Sequence, residues 1–237
     1  DLHSTSRRQR QMCIRDRYKT SLILIFLLLG ISPWAFSALP GMSSKHLRLV
    51  KDLMNNNLAY SQDATTTNII EWEEEIVDSL RQKKDYRNMF LMKQMAVYAY
   101  SLQAKISEAL KKADAMMDEA RLMKYNIGIS LSYQALGDVY LNAGMRPEAV
   151  EKYEKAMKTL QATPHAEKIQ ERIFIQLVPT LIKLKRMDEA KAYLEHMSEI
   201  CESKCLSPFL LYAYHAYYYL RNNDLSKARE YIDEAIK

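Results

Sequence analysis

The sequence predicts an all-α fold, an α-solenoid in which antiparallel helix pairs stack one after another. The 237 residues include only 5 glycines and 6 prolines, too few for the many tight turns of a β-sandwich or barrel. Hydrophobic residues make up 48% and charged residues 27%, which is typical of a folded, helix-rich domain and excludes disorder. Short stretches that share an alanine also recur about every 40 residues, a period that is typical of solenoids.

The first 17 residues show no apolar periodicity and are rich in arginine. Residues 1–17 resemble translated sequencing-adapter read-through, so we interpret them as a non-native leader. A basic arm that binds nucleic acid is the alternative, and its position before an export signal disfavours it. Because the chain begins without Met and ends inside a helical pattern, we expect it to be a fragment of a longer protein.

Residues 18–37 have the organisation of a secretory signal peptide. Lys19 flanks an apolar run, Leu22–Ile31, and the small residues Ala35 and Ser37 follow it. We expect cleavage after Ser37 and export of the chain. No charged residue lies between positions 20 and 44, so an uncleaved membrane anchor stays open.

The net charge of +5 lies mostly in this N-terminal part. Residues 1–37 carry +4 of it, and the remaining 200 residues hold 28 basic and 27 acidic groups. A nearly neutral region does not attract polyanions, so we expect no nucleic-acid partner. Membrane contact is expected only through the signal or anchor segment, or through a helix beyond this sequence.

Helices are predicted in chain order. An N-terminal region, residues 38–86, should hold helices 43–57 and 68–83, separated by a loop at 59–67 that is rich in Ser, Thr, Asn and Asp. Asn68 and Glu71 match the capping-box pattern of a helix start. Residues 87–237 should form four helix pairs: 87–102 with 106–123, 127–143 with 147–161, 166–184 with 187–201, and 208–221 with 225–237.

The second helices of these pairs begin with a recurring stretch, and its alanines lie 40, 41 and 38 residues apart. These alanines are Ala109, Ala149, Ala190 and Ala228. The clearest unit has large and small residues in alternation: Tyr133, Leu136, Gly137, Tyr140, Ala149, Tyr153 and Ala156. Small residues allow two helices to approach closely, and the large ones then fill the space between them.

This pattern resembles the tetratricopeptide repeat (TPR), a helix–turn–helix unit that stacks into a right-handed superhelix. Tyr133 stands where the family usually has Trp, and the expected Pro is displaced to Pro164. The resemblance implies an array of about four units over residues 87–237, truncated at its C-terminus.

The resemblance also implies a peptide-binding groove on the first helix of each unit. Carried over to this sequence, the groove positions are Gln94, Tyr98, Gln134, Asp138, Asn142, Arg172, Lys183, Tyr217 and Arg221. This mixture of amides, tyrosines and charges suits an extended peptide or a helix. Gln94 and Tyr98 stand where the family's carboxylate clamp has Lys and Asn, so recognition of a C-terminal carboxylate is not expected.

The sequence carries no motif for catalysis, metal or cofactor binding. Its five glycines cannot form a phosphate-binding loop, and its histidines and cysteines lack zinc-site spacing. His215 occupies a packing position, and Pro179 is expected to bend the first helix of the third unit. We therefore predict neither an enzyme activity nor a cofactor for this region.

Cys201 and Cys205 lie four residues apart near a predicted helix end. Export would place them in an oxidising compartment, and this spacing on a helix is near the range that a disulfide allows. A disulfide and two packed thiols both remain open.

An export signal followed by loosely matching TPR units resembles the periplasmic sensor region of bacterial membrane signalling proteins, either histidine kinases or helix-turn-helix regulators. The stretches 113–120 and 133–140 carry this second resemblance. It implies an interaction module that binds a protein or peptide within two-component signalling. The alternatives are a stand-alone periplasmic or envelope TPR adaptor and an enzyme whose catalytic domain lies downstream.

Overall fold

The computed structural model describes residues 62–204 and 208–236, and these residues form nine α-helices and no strand. The all-α prediction is therefore confirmed for this part of the chain. The leader, the signal peptide, helix 43–57 and Cys205 lie outside the described residues. The helices are α1 Gln62–Gln82, α2 Tyr86–Leu102, α3 Ile106–Leu122, α4 Asn126–Asn142, α5 Arg146–Leu160, α6 Glu167–Lys183, α7 Met187–Lys204, α8 Pro208–Arg221 and α9 Leu225–Ile236.

The eight paired helices were predicted closely. Seven of them begin and end within one residue of the predicted bounds, and α7 continues to Lys204 instead of stopping at position 201. The start of α1 was wrong, because that helix begins at Gln62 and includes most of the predicted loop. Asn68 therefore lies inside α1 and is not its N-cap. Threonine disfavours a helix by only a few tenths of a kcal/mol, so a threonine run does not break one.

Tight turns of one conformation join the two helices of each pair. Each has one residue in the left-handed region, with φ of 57° at Ala104, 81° at Gly144, 61° at Lys185 and 61° at Asn223. The backbone N–H of the next residue donates to a carbonyl five positions earlier, as from Met145 to Tyr140 at 2.9 Å. This is the hydrogen bond of a Schellman helix end. The turn residues share the 40, 41 and 38 spacing of the alanines, so backbone conformation repeats together with sequence.

Helix α1 also follows this repeat, although the sequence placed it outside the array. The turn after α1 has Lys84 at φ 57° and the turn after α3 has Lys124 at φ 51°, 40 residues later. Ile76 and Met116, also 40 residues apart, are both buried. Helix α1 therefore corresponds to the second helix of a unit that precedes α2.

Each helix packs on the next, and the first helices of successive pairs also contact one another: α2 with α4, α4 with α6, and α6 with α8. The core of the pairs contains the predicted small positions. Ala149, Ala156, Ala190 and Ala228 are buried, together with Tyr153. Tyr133, Leu136 and Tyr140 are only half-buried.

Gly137 marks the closest approach of α4 and α5. A Cβ atom at this position would lie 2.5 Å from Cε1 of Tyr153, well inside van der Waals contact. Glycine is therefore required there if the Tyr153 ring is to lie against α4. This contact brings the tyrosine hydroxyl to the polar side of α4, where the candidate site lies.

Pro179 lies inside α6, which continues past it to Lys183. Proline has no backbone N–H, so the carbonyl of Ile175, four residues earlier, lacks its helical donor. The hydroxyl of Tyr214 in α8 donates to this oxygen at 3.1 Å. A side chain from the next unit thus supplies the hydrogen-bond donor that α6 lacks at Pro179.

Candidate functional site

Four buried or half-buried polar side chains connect the first three helix pairs. Asp138 in α4 accepts from Nε2 of Gln94 in α2 at 2.6 Å and from the hydroxyl of Tyr153 in α5 at 2.7 Å. Nη2 of Arg172 in α6 donates to Oε1 of Gln94 at 2.9 Å. We call Gln94, Asp138, Tyr153 and Arg172 the polar network. It joins residues 78 positions apart in the sequence.

The repeat explains why these side chains meet. Gln94 and Gln134 occupy equivalent positions 40 residues apart, as do Tyr98 and Asp138. Helices α2 and α4 lie side by side, so a polar residue of one meets the residue one turn further along the other. Gly137 brings Tyr153 against α4 beside Asp138.

Burial dominates the electrostatics of the network. Asp138 has a pKa raised to about 6 because burial disfavours its charged form, although hydrogen bonds from Tyr153 and Gln94 and the charge of Arg172 act in the opposite direction. Burial likewise lowers the pKa of Arg172, and the nearby carboxylate raises it. Burial, with the charge of Asp138, raises the pKa of Tyr98 to about 12. The network therefore holds a carboxylate and a guanidinium whose opposite charges partly offset the cost of their burial.

The structure brings together part of the predicted groove. Gln94, Asp138 and Arg172 belong to the polar network, and Tyr98 lies half-buried beside it. Gln94, Gln134 and Asp138 are only 4%, 3% and 3% exposed, so most of their surface is covered by neighbouring helices. These residues therefore cannot act as freely exposed contacts.

The other predicted groove residues lie away from the network. Asn142 is exposed and donates from Nδ2 to the hydroxyl of Ser101 at 2.7 Å, which links α4 to α2. Lys183 and Arg221 are exposed near the ends of α6 and α8, and Tyr217 is half-buried in α8. The structure gives these three residues no shared site with Asp138.

Gln134 has an unusual environment within the predicted groove. Its side-chain oxygen is buried and accepts no hydrogen bond from the residues that the structure describes. Gln134 precedes Asp138 by one helical turn, so both project from the same side of α4. Sequence reasoning found both residues but missed the role of Tyr153, which was predicted only to pack. Its position opposite Gly137 was the available signal.

A second polar cluster lies at the other end of the array. His215 is half-buried, with its ring stacked on Tyr231 at 4.6 Å between centroids and its Nε2 atom 3.2 Å from the hydroxyl of Ser198. Burial lowers the pKa of His215. The ring thus lies at the boundary of the core, in the packing role that the sequence predicted.

A cavity of about 370 Å³ opens between the second helices α5 and α7. Met157 and Tyr193 give it an apolar part, and Glu154, Lys158 and His196 give it charged or polar walls. Glu154 is already paired with Arg186, at 3.0 Å from Nη2. The sequence did not predict this cavity.

Within residues 62–204 and 208–236 there is no group of three or more His, Cys, Asp and Glu side chains that could hold a metal ion. In the same part of the chain, no helix has both the length and the apolar character needed to cross a membrane. The Cys201–Cys205 pair lies outside the side chains that the structure describes.

Comparison with known proteins adds no family assignment. No protein-family model matches this chain, and no curated protein matches it. The resemblance to TPR proteins therefore rests on the residues of the repeat.

Proposed function

We propose that this chain is an exported TPR module that binds a protein or peptide and forms the periplasmic sensor region of a bacterial membrane histidine kinase or helix-turn-helix regulator. Recognition is noncovalent, and this part of the protein performs no catalytic step. The observation that carries the proposal is the repetition of helix pairs with one turn conformation and equivalent buried alanines. Such arrays present the first helices of their units side by side, which suits an elongated partner.

The contacts of the first helices support peptide binding. Arg172 of the polar network and Tyr98 beside it are half-buried and keep part of their surface accessible. The buried side-chain oxygen of Gln134 lacks a donor in the described structure. Buried acceptors in proteins nearly always have a partner, and the backbone N–H of an extended peptide supplies one when the Gln134 side chain turns out of its covered position toward the ligand.

Selection of peptides tests this proposal directly. A random peptide library displayed on phage is selected on the full chain, and the enriched peptides are measured against wild type and Gln134→Leu. Losing one buried hydrogen bond of about 1–2 kcal/mol weakens binding roughly tenfold. Gln82→Leu, at the exposed end of α1, is the matched control and should bind as wild type.

Two outcomes contradict the proposal. Either no peptide is enriched, or the enriched peptides bind wild type and Gln134→Leu equally. The sensor assignment has a separate test, which is the gene sequence beyond Lys237. A membrane-spanning segment followed by a kinase or helix-turn-helix domain supports it, whereas a stop codon within one further helix supports a stand-alone adaptor.

A further inference from the structure

Asp138 is the one carboxylate among the four side chains of the polar network, and each of its contacts leads to a different helix. Through Gln94 it is connected to α2, through Tyr153 to α5, and through the charge of Arg172 to α6. Gln94 has a double role, because its Nε2 donates to Asp138 while its Oε1 accepts from Arg172. The orientation of one amide therefore decides whether Gln94 of α2 accepts from Arg172 of α6.

We propose that Asp138 is a proton-dependent switch for the contact between α2 and α6. With Asp138 ionised, the Gln94 amide is held in the orientation that accepts from Arg172. When Asp138 takes up a proton from solvent, Arg172 loses this acceptor and α6 loosens from α2. The switch changes the contact between α2 and α6. Any effect that it has on ligand binding rests on the proposed function.

The chemistry of the amide gives the mechanism. A protonated carboxyl at Oδ2 carries an O–H donor, which faces the Nε2 donor of Gln94 and requires an acceptor instead. Rotation of the amide by half a turn places Oε1 toward the O–H and Nε2 toward Arg172. Two donors then face each other, so the guanidinium turns away from Gln94 toward water.

The groups around Asp138 determine which of the two states is favoured by proton uptake. Gln94 and Tyr98 face it from α2, Tyr153 from α5 and Arg172 from α6, and no ionisable group of α3 acts on it within the described residues. Gln94 and Arg172 both lower the pKa of Asp138, while burial raises it to about 6. In the loosened state Asp138 stays buried against α5, Gln94 bonds its protonated form and the charge of Arg172 has moved away, so the pKa of Asp138 is higher still. Proton uptake therefore favours the loosened state.

Nuclear magnetic resonance on the full wild-type chain is the primary test. The ¹³C shift of the Asp138 carboxyl and the side-chain amide shifts of Gln94 are followed between pH 4.5 and 8. Both should move with one midpoint near pH 6. A Gln94 amide that does not respond at the Asp138 midpoint overturns the switch, as does a carboxyl that stays ionised throughout this range.

Hydrogen exchange tests the mechanical consequence. At pH 5 and pH 7.5, with exchange times scaled for the intrinsic rate, the α2 and α6 amides of wild type should exchange at least fivefold faster at pH 5. Arg172→Met removes the guanidinium and should abolish this difference. Asp118→Asn, an exposed residue of α3, is the control and should behave as wild type.

Equal exchange at both pH values in wild type, or an unchanged pH response in Arg172→Met, contradicts the proposal. If Arg172→Met does not fold, the wild-type resonance titration still decides the question. No ligand is present in either experiment. Failure of the switch is thus distinguishable from failure of peptide binding, which the display selection measures at a single pH.

Discussion

At the scale of single residues, Asp138 shows that burying a carboxylate costs free energy even when it is hydrogen-bonded. Its two hydrogen bonds and the charge of Arg172 do not fully offset the loss of water, so its pKa stays at about 6. An unfolded aspartate has a pKa of about 3.9. The folded protein therefore binds more protons than the unfolded chain between about pH 4 and pH 6, and linkage predicts a stability change in that window.

We expect the free energy of unfolding contributed by Asp138 to fall as pH rises from about 4 to 6, because a raised acid pKa stabilises the folded state only while the acid is protonated. The difference of about two pKa units corresponds to roughly 3 kcal/mol. Urea denaturation of wild type and Asp138→Asn at several pH values isolates this term as the difference between the two curves.

Asp118→Asn, which changes an exposed carboxylate, provides the control and should run parallel to wild type. A wild-type curve parallel to that of Asp138→Asn from pH 4 to pH 7 would contradict the raised pKa. This measurement follows global unfolding, whereas the proposed switch concerns only the contact between α2 and α6.

Much of the site could be predicted at the level of residue type, and little at the level of contacts. The repeat placed Gln94, Asp138 and Arg172 on first helices, and they do meet. Their burial was not predicted, because it depends on the distance between helices of different units. That distance is set by side chains such as Gly137 and Tyr153, whose close packing is visible only in three dimensions.

At the scale of elements, the helix boundaries were predictable because one turn repeats along the chain. A residue in the left-handed region ends one helix, and the next helix begins two residues later, as at Ala104 and Gly144. The start of α1 borders residues outside the described structure, and propensity alone misplaced it in the sequence analysis. Local signals thus located the ends of helices wherever a turn conformation constrained both sides.

Pro179 gives the clearest prediction at this scale. Its missing N–H leaves the carbonyl of Ile175 to the hydroxyl of Tyr214, which joins α6 to α8. We expect Tyr214→Phe to reduce the free energy of unfolding by about 1–2 kcal/mol in wild type, because a buried acceptor then loses the donor that replaces the missing N–H. The loss should shrink to a few tenths of a kcal/mol in a Pro179→Ala background, where the helix supplies an N–H at position 179.

The measurement is a double-mutant cycle by urea denaturation. Tyr217→Phe, on the same helix but half-buried, is the matched control and should change stability by less than about 0.5 kcal/mol. An equal cost of Tyr214→Phe in both backgrounds would show that Pro179 does not create the need for this hydroxyl.

At the scale of the whole molecule, stability should be distributed as in a linear array. Each helix contacts mainly its neighbours along the chain, and the first helix of each pair also contacts the first helix of the next pair. Ion pairs add links of the same short range, such as Arg81 of α1 with Glu119 of α3 at 3.1 Å. In such an array a local defect should spread only as far as its neighbours, and its effect should depend on its position.

Two equivalent alanines test this property. Ala149 at the start of α5 and Ala228 at the start of α9 are 0% and 3% exposed, so leucine overpacks both sites by about 1–3 kcal/mol. We expect Ala228→Leu to speed hydrogen exchange in α8 and α9 by roughly 10-fold or more while α2 to α5 keep their protection. Ala149→Leu, in the middle of the described array, should instead speed exchange in helices on both sides of it. If both variants speed exchange equally in every helix, the protein unfolds as one cooperative unit and the description as a linear array is wrong.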